Sequence, residues 1–362
     1  MGSLLFFDPV CQRPYDTRTL LEQATGGTEA SLTRVADALG AYVMQHNRTE
    51  PSGRYLPPQA LEGIDTVVLN RDARALPQVR SLFPRARFLL WVHDQLHRHS
   101  KRGRRLARCG AALRELGVTV VCVSDAQRHG VEDTLRYMGV AERVRAVTIY
   151  NPVDEALQPA AAGVDLDKLV FFSSPNKGLR FTLDAFAAMR RTIPALRLLV
   201  GNPGYKPDRA ERRAGVEFLG PLPQARVHAE VRGALCTFCP NFLIPETFGL
   251  VFAESHALGT PVLTVDCGAA LEVLGDPAQV LPVRPTWRVY ESLAGPLPEA
   301  LRRGAARAAA RAGLFDEFTA RIRAWRAGAR PRAAPDARFR LSTVTQQWRT
   351  LLAGEPGGRG VA

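Results

Sequence analysis

Short apolar runs rich in β-branched residues alternate with amphipathic stretches along most of the chain. In the first half the runs cover 4–7, 41–44, 66–69, 88–92, 118–123 and 146–150. In the second half they cover 169–172, 196–200, 216–219, 234–238, 261–265 and 279–283. Near-continuous apolar strands separated by helical segments predict parallel sheets covered on both faces. Six such runs in each half predict two doubly wound α/β domains. Around 158–167 the composition shifts to Pro, Ala and Gly between two strand-like runs, which places a linker there. The strands stop after Pro285; 301–326 reads as an Arg/Ala-rich helix broken by Pro331 and Pro335, and 342–352 reads as a last helix. The predicted organisation is a first Rossmann-like domain over 1–157, a second over 168–330, a terminal helix within 336–353, and a glycine-rich disordered tail over 354–362.

Composition narrows the class. The 362 residues suit two or three domains, and 46% hydrophobic residues suffice for real cores. No uncharged apolar run approaches the roughly 18 residues of a membrane span. Met1 to Val10 lacks the basic-then-apolar build of a secretory signal, so the cytoplasm is the expected compartment. Six cysteines in a chain of this length are no disulfide framework, and the single Cys236-x-x-Cys239 reads as buried free thiols. His93, His97 and His99 lack a carboxylate at ligand spacing, so no metal is expected there. The net charge of +13 is nearly all arginine, with clusters in 101–105 and 302–332. Without a helix-turn-helix, zinc-finger or RNA-recognition signature, it argues against nucleic acid and for attraction to an acidic membrane surface.

Two motifs carry chemistry. Thr25-Gly26-Gly27-Thr28 precedes a stretch in which Leu32, Val35, Ala36 and Leu39 share a helical face. Paired glycines before a helix let backbone amides approach an anion, although a tight turn alone explains them as well. The second motif is Pro245-Glu246-Thr247-Phe248-Gly249-Leu250-Val251-Phe252-Ala253-Glu254, with a helix opening near Gly249 and running to Leu258. With Leu250 at zero on a wheel of about 100° per residue, Glu254 falls near 40°, between Leu250 and Leu258. A carboxylate there is expected to be buried and to need a donor pair such as a ribose diol.

The Glu-x7-Glu segment, with Thr260-Pro261-Val262 after Gly259, resembles the signature of retaining glycosyltransferases of family 4, which have the GT-B fold. The resemblance extends to Gly26-Gly27, Val92-His93-Asp94, Val123-Ser124, Asn151-Pro152-Val153-Asp154, Lys177-Gly178, Phe218-Leu219-Gly220 and the final helix. It implies two Rossmann-like domains facing across a cleft, with the last helix crossing back to the first. It implies transfer of a sugar from a UDP- or GDP-sugar with retention, without cofactor or metal. His93, Lys177 and Glu246 would be catalytic. Gly26, Gly27, Ser173, Arg180, Thr247, Phe248, Gly249, Leu250 and Glu254 would bind the donor. The acceptor would be a glycan or lipid-linked saccharide, as in envelope polysaccharide assembly, met at the inner face of the membrane.

One departure stands out. The family usually has Gly-Arg after the first strand of the second domain, where this chain reads Phe172-Ser173-Ser174-Pro175-Asn176. The phosphate-side arginine is absent, with Arg180 one turn past Lys177 as a partial substitute. This keeps open a nucleotide-sugar epimerase and a catalytically weak nucleotide-sugar-binding scaffold. A phosphorylase would need a pyridoxal-binding lysine, for which no clear candidate exists. No G-x-G-x-x-G follows the first strand, which argues against a Rossmann oxidoreductase.

Overall fold

In the computed structural model, residues 3–98, 100–159, 163–202, 213–241, 244–283, 304, 307–308 and 312–354 are described. The expected tail, His99 and much of the Arg/Ala-rich segment fall outside these residues. The chain divides into two compact units: one comprises 1–18, 27–152 and 338–362, the other 19–26 and 153–337. Each of the twelve apolar runs forms a strand.

Unit 1 contains β1 (Ser3–Asp8), β2 (Tyr42–Gln45), β3 (Tyr55–Leu56), β4 (Ile64–Asn70), β5 (Arg87–Val92), β6 (Thr119–Cys122) and β7 (Ala146–Thr148). They form one sheet in the order β3-β2-β1-β4-β5-β6-β7, with every neighbouring pair parallel. The two-residue β3 was too short to give a periodic signal. Strand alternation sorts the side chains between two layers. Leu5, Phe7, Val67, Leu69, Leu90 and Val92 face a core shared with Leu76, Leu106, Leu113, Val131 and Leu135. These come from α3 (Leu76–Leu82), α4 (Lys101–Arg108), α5 (Gly110–Glu115) and α6 (Asp125–Tyr137).

On the opposite face Phe6 and Trp91 meet Trp348, with ring centroids 5.8 and 5.0 Å away. Trp348 belongs to the final helix (Leu341–Ala353), which packs on the helix after the glycine pair, α2 (Gly27–Leu39). Its place in unit 1 is fixed by that fully buried tryptophan, and Arg87 reinforces it by donating to the Leu351 carbonyl at 3.1 Å.

Unit 2 repeats the plan with β8 (Asp165–Phe172), β9 (Arg197–Gly201), β10 (Val216–Gly220), β11 (Ala234–Phe238), β12 (Val262–Val265) and β13 (Val280–Leu281). The order is β10-β9-β8-β11-β12-β13, again parallel throughout. Helix α7 (Leu179–Arg190) and the helix Leu314–Ala324 cover one face. They meet through Phe181 and Phe315, while Phe318 packs edge-on against Phe238 of β11. In each sheet the strand order reverses once, between β1 and β4 and between β8 and β11. Open parallel sheets bind ligands outside the carboxyl ends of the strands at this reversal.

Candidate functional site

The reversal in unit 2 brings together two residues far apart in sequence. Lys177 lies in the loop that leaves β8, and Glu246 in the loop that leaves β11. Lys177 Nζ donates to Glu246 Oε2 at 2.7 Å. The Glu246 carboxylate is 4% exposed and the Lys177 side chain 35%, so the pair is closed on the acid's side and open on the lysine's. Glu246 Oε1 is buried without a hydrogen-bond partner among the described residues. A buried acceptor of this kind is costly unless a donor reaches it.

The backbone around Glu246 is fixed from the next loop. Ala269 N–H donates to the Glu246 carbonyl at 2.9 Å, and Glu246 pairs with Gly268 as an isolated parallel bridge. A Cβ on Gly268 would stand 2.3 Å from that carbonyl oxygen, and φ there is +68°. Only glycine permits this approach. Asn241 braces the other flank, donating from Nδ2 to the Ile244 carbonyl at 2.8 Å. Burial, with Glu246 close by, pushes the Cys239 thiol up to about 12, so this cysteine is an inert neighbour of the pair. Gly268, Ala269 and Asn241 were not singled out in the sequence, because their roles are backbone contacts that no pattern of side-chain types reveals.

Helix α9 (Leu250–Ala257) begins just after Phe248 and Gly249, both buried. Its first amides have no carbonyl within the helix to receive them, which makes this end receptive to an anion. The helix is seated on β11 by Thr237 Oγ1 and Ser255 Oγ, 2.7 Å apart, and against the turn before β13 by His256 Nε2, 2.8 Å from Gln279 Oε1.

The helical wheel needs correction here. Phe252, Ala253, Ser255, His256 and Ala257 are the buried residues, whereas Leu250, Val251 and Glu254 are half-buried. The apolar residues are not confined to one face, so their pattern does not orient the helix; the Thr237–Ser255 and His256–Gln279 contacts do. Glu254 therefore lies at the margin of the buried face. Thr247 and Ser173 are half-buried. Arg180 is exposed on α7, with no hydrogen bond or ion pair among the described residues, and it is not drawn into the Lys177–Glu246 pair.

In unit 1, His93 follows β5, and its ring lies 4.6 Å from that of Trp91. Burial, with the nearby Arg71 charge, pushes its pKa down to about 3 against the pull of Asp94, so the imidazole is neutral near pH 7. Gly26 is buried and Gly27, the first residue of α2, is exposed. Glu29, in the first turn of α2, is pushed up by burial, with Arg71 opposing and Asp8 and Asp94 reinforcing.

Beside His93 lies a group that sequence reading missed. Arg71 Nε donates to Asp94 Oδ2 at 3.0 Å, and Arg102 donates to Asp94 Oδ1 at 2.6 Å. Gln127 of α6 clamps this loop from below, its Nε2 donating to the Asp94 carbonyl at 2.9 Å. The available signal was the Lys101–Arg105 basic cluster, which had suggested a surface charge and not a structured rim. All six cysteines are free. Among the described residues no helix is long and apolar enough to cross a membrane.

Comparison with known proteins agrees with this layout. Residues 167–294 match the family described as glycosyl transferases group 1. Over 127 residues the chain is 32% identical to the phosphatidyl-myo-inositol mannosyltransferase of Mycobacterium leprae, covering 33% of this chain and 34% of that protein. Over 156 residues it is 34% identical to the D-inositol 3-phosphate glycosyltransferase of Nocardia farcinica, covering 38% and 34%. The matched stretch thus spans little more than a third of either relative.

Solved structures match over nearly the full length at low identity. Anabaena HepE, in complex with UDP and glucose, superposes with a TM-score of 0.62 at 17% identity, covering 98% of this chain and 100% of that one. Sucrose-phosphate synthase from Thermosynechococcus elongatus gives 0.61 at 18% identity over the same shares. Residues 167–294 thus match a glycosyl transferases group 1 domain, within a chain of GT-B fold.

Proposed function

We propose that the protein is a glycosyltransferase that takes a sugar from a UDP- or GDP-sugar and passes it to a glycan or lipid-linked acceptor with retention of configuration. The observation that carries this reading is the Lys177–Glu246 pair at the strand-order reversal, with Glu246 Oε1 buried and lacking a partner among the described residues. Cleaving the bond between an anomeric carbon and a diphosphate builds negative charge on the leaving group and positive charge on the sugar. A fixed cation near the diphosphate is the largest stabiliser such a site supplies. Lys177 is that cation, helped by the first amides of α9. Glu246 accepts from the hydroxyls of the donor sugar, and Glu254 holds the ribose. Lysine and backbone groups take the place of a divalent ion, so no metal or cofactor is invoked. A lipid-linked acceptor is supported by the name of the Mycobacterium leprae relative and by the basic surface.

A thermal-shift screen against UDP-, GDP-, ADP- and dTDP-sugars tests the donor. Ligand at 100 times its dissociation constant adds about 2.7 kcal/mol of stability. Silence from all four classes would end the reading. The segment Phe172–Asn176, which lacks an arginine, supports one alternative: a nucleotide-sugar-binding scaffold of weak activity. Stabilisation by a donor with neither transfer nor donor hydrolysis would select it.

A further inference from the structure

The rim of the unit 1 sheet holds a second arrangement that the transfer chemistry above does not use. Arg71 leaves β4 and Asp94 leaves β5, and with Asp72, Arg102, Arg105 and Leu106 they line an open depression.

The arginines of α4 are held in place by a specific packing arrangement. Ser100 Oγ accepts from Gly103 N–H at 2.9 Å and caps the helix. A Cβ on Gly103 would stand 1.8 Å from the His97 carbonyl oxygen, so only glycine lets α4 lie against the loop leaving β5. Three positions apart, Arg102 and Arg105 share one helical face over the depression.

Three features mark this as a place for an anion. The first is charge: three guanidiniums line it against two carboxylates. Both acids are already engaged. Asp94 receives Arg71 and Arg102. Asp72 receives Arg74 at 2.5 Å; against burial, the largest single influence, the hydrogen bonds and charge of Arg74 together with the Arg105 charge hold its carboxyl below the usual range. The second is Arg105, half-buried, whose charge reaches Asp72 but whose guanidinium makes no hydrogen bond among the described residues. The third is backbone strain. Arg71, at φ +69°, is the only non-glycine residue with left-handed backbone among the described residues. That conformation costs a bulky side chain about 1 kcal/mol or more, and such strain gathers at binding sites.

We propose that Arg71, Arg102 and Arg105 form a subsite for a phosphate ester, and that this phosphate anchors the acceptor. Three guanidinium forks converging from a loop and a helix suit a tetrahedral dianion with several acceptor oxygens better than a carboxylate with two. The word acceptor rests on the transferase reading; the phosphate site does not. The same chemistry is offered by a soluble sugar phosphate and by an anionic lipid headgroup.

The test is calorimetric titration of the full chain at fixed ionic strength with a hexose 6-phosphate and with the unphosphorylated hexose. A second arm uses phosphatidylcholine vesicles with and without phosphatidylglycerol. Each titration is repeated with Arg105→Gln, whose side chain breaks no hydrogen bond when removed, and with Arg108→Gln, exposed on the same helix outside the depression. The expected result is binding of the phosphate and not the hexose, weakened about tenfold or more by Arg105→Gln and unchanged by Arg108→Gln. If only anionic vesicles bind, with the same dependence on Arg105, the phosphate comes from a lipid. The proposal falls if hexose binds as tightly as its phosphate, if neither source binds, or if Arg108→Gln weakens binding as much as Arg105→Gln. Donor binding is measured on the same samples. A protein that ignores UDP- and GDP-sugars yet binds phosphate through Arg105 would remove the transferase reading and leave the subsite standing.

Discussion

The two sheets of this protein end in rims of different chemistry. At the reversal in unit 2 Lys177 pairs with Glu246, whose acid is buried and retains one oxygen without a partner among the described residues. At the rim of unit 1 there are three guanidiniums, two carboxylates and a neutral imidazole, mostly half-buried, with Arg71 and Arg102 both bonded to Asp94. The first is a minimal device held by rigid backbone contacts. The second is a network whose members share partners. The family match covers the first, over 167–294, and does not reach the second. On the proposed reading, the donor machinery is common property, whereas the rim of unit 1 is where this chain sets its own acceptor.

The sharpest way to break that contrast is at the pair itself. Lys177→Ala leaves the Glu246 carboxylate, 4% exposed, without its cation. Transfer should fall about 10²- to 10³-fold. Stability should also drop, by about 3 kcal/mol, because an unpaired buried charge remains. Glu246→Gln keeps the shape and removes the charge, so it should lose a similar factor in rate with a smaller loss of stability. Initial rates and thermal melts on both variants separate the roles. A Lys177→Ala protein that melts early yet transfers at the normal rate would make the pair structural.

The pH response of unit 1 comes next in size. His93 has its pKa depressed from 6.5 to about 3 by burial and Arg71. The unfolded chain therefore takes up the proton first as pH falls. Stability from this residue is full above about pH 6.5 and declines towards pH 3, by at most about 1.4 kcal/mol per unit. Denaturation midpoints measured across that window should fall less steeply for His93→Gln than for wild type. Parallel slopes would show that the imidazole is not the buried neutral group described.

How far the sequence spoke differs between the rims for the same reason. The strands were legible because both faces of each sheet are covered, which makes the strands continuously apolar. Lys177 and Glu246 were legible because the loops that carry them follow strands directly and resemble a known signature. Arg71 was not, since nothing in Leu69-Asn70-Arg71-Asp72 indicates a left-handed backbone, and its partner Asp94 lies on another strand end. Gly268 escaped for a related reason: its importance is a contact with the Glu246 carbonyl, and in sequence it is one more glycine after a strand. Glu254 was misplaced because the apolar residues of Leu250–Ala257 are spread round the helix and give a wheel no direction.

Gly268 offers a test in which geometry alone changes. In Gly268→Ala the new methyl would stand 2.3 Å from the Glu246 carbonyl oxygen, at a φ of +68°. The Glu246 loop must move. A displacement of about 1 Å in a catalytic group costs on the order of 10²-fold in rate. Strain at left-handed φ adds about 1 kcal/mol of destabilisation. Wild-type turnover from a folded Gly268→Ala protein would mean that Glu246 need not be positioned so closely.

The smallest structural effect is expected at Glu254, and its smallness makes it informative. A carboxylate sunk in the core would destabilise the fold once its ligand was absent, and Glu254→Ala would then raise stability. Glu254 is instead half-buried beside Leu250 and Val251. Its removal should change stability by no more than about 0.5 kcal/mol. If it grips a ribose, nucleotide affinity should still fall, by about tenfold for the loss of a charged hydrogen bond. Titrating UDP and GDP into Glu254→Ala, with Lys177→Ala beside it, separates affinity from turnover. A Glu254→Ala protein that binds both nucleotides as tightly as wild type would remove the ribose role and leave the donor site resting on Lys177, Glu246 and the start of α9.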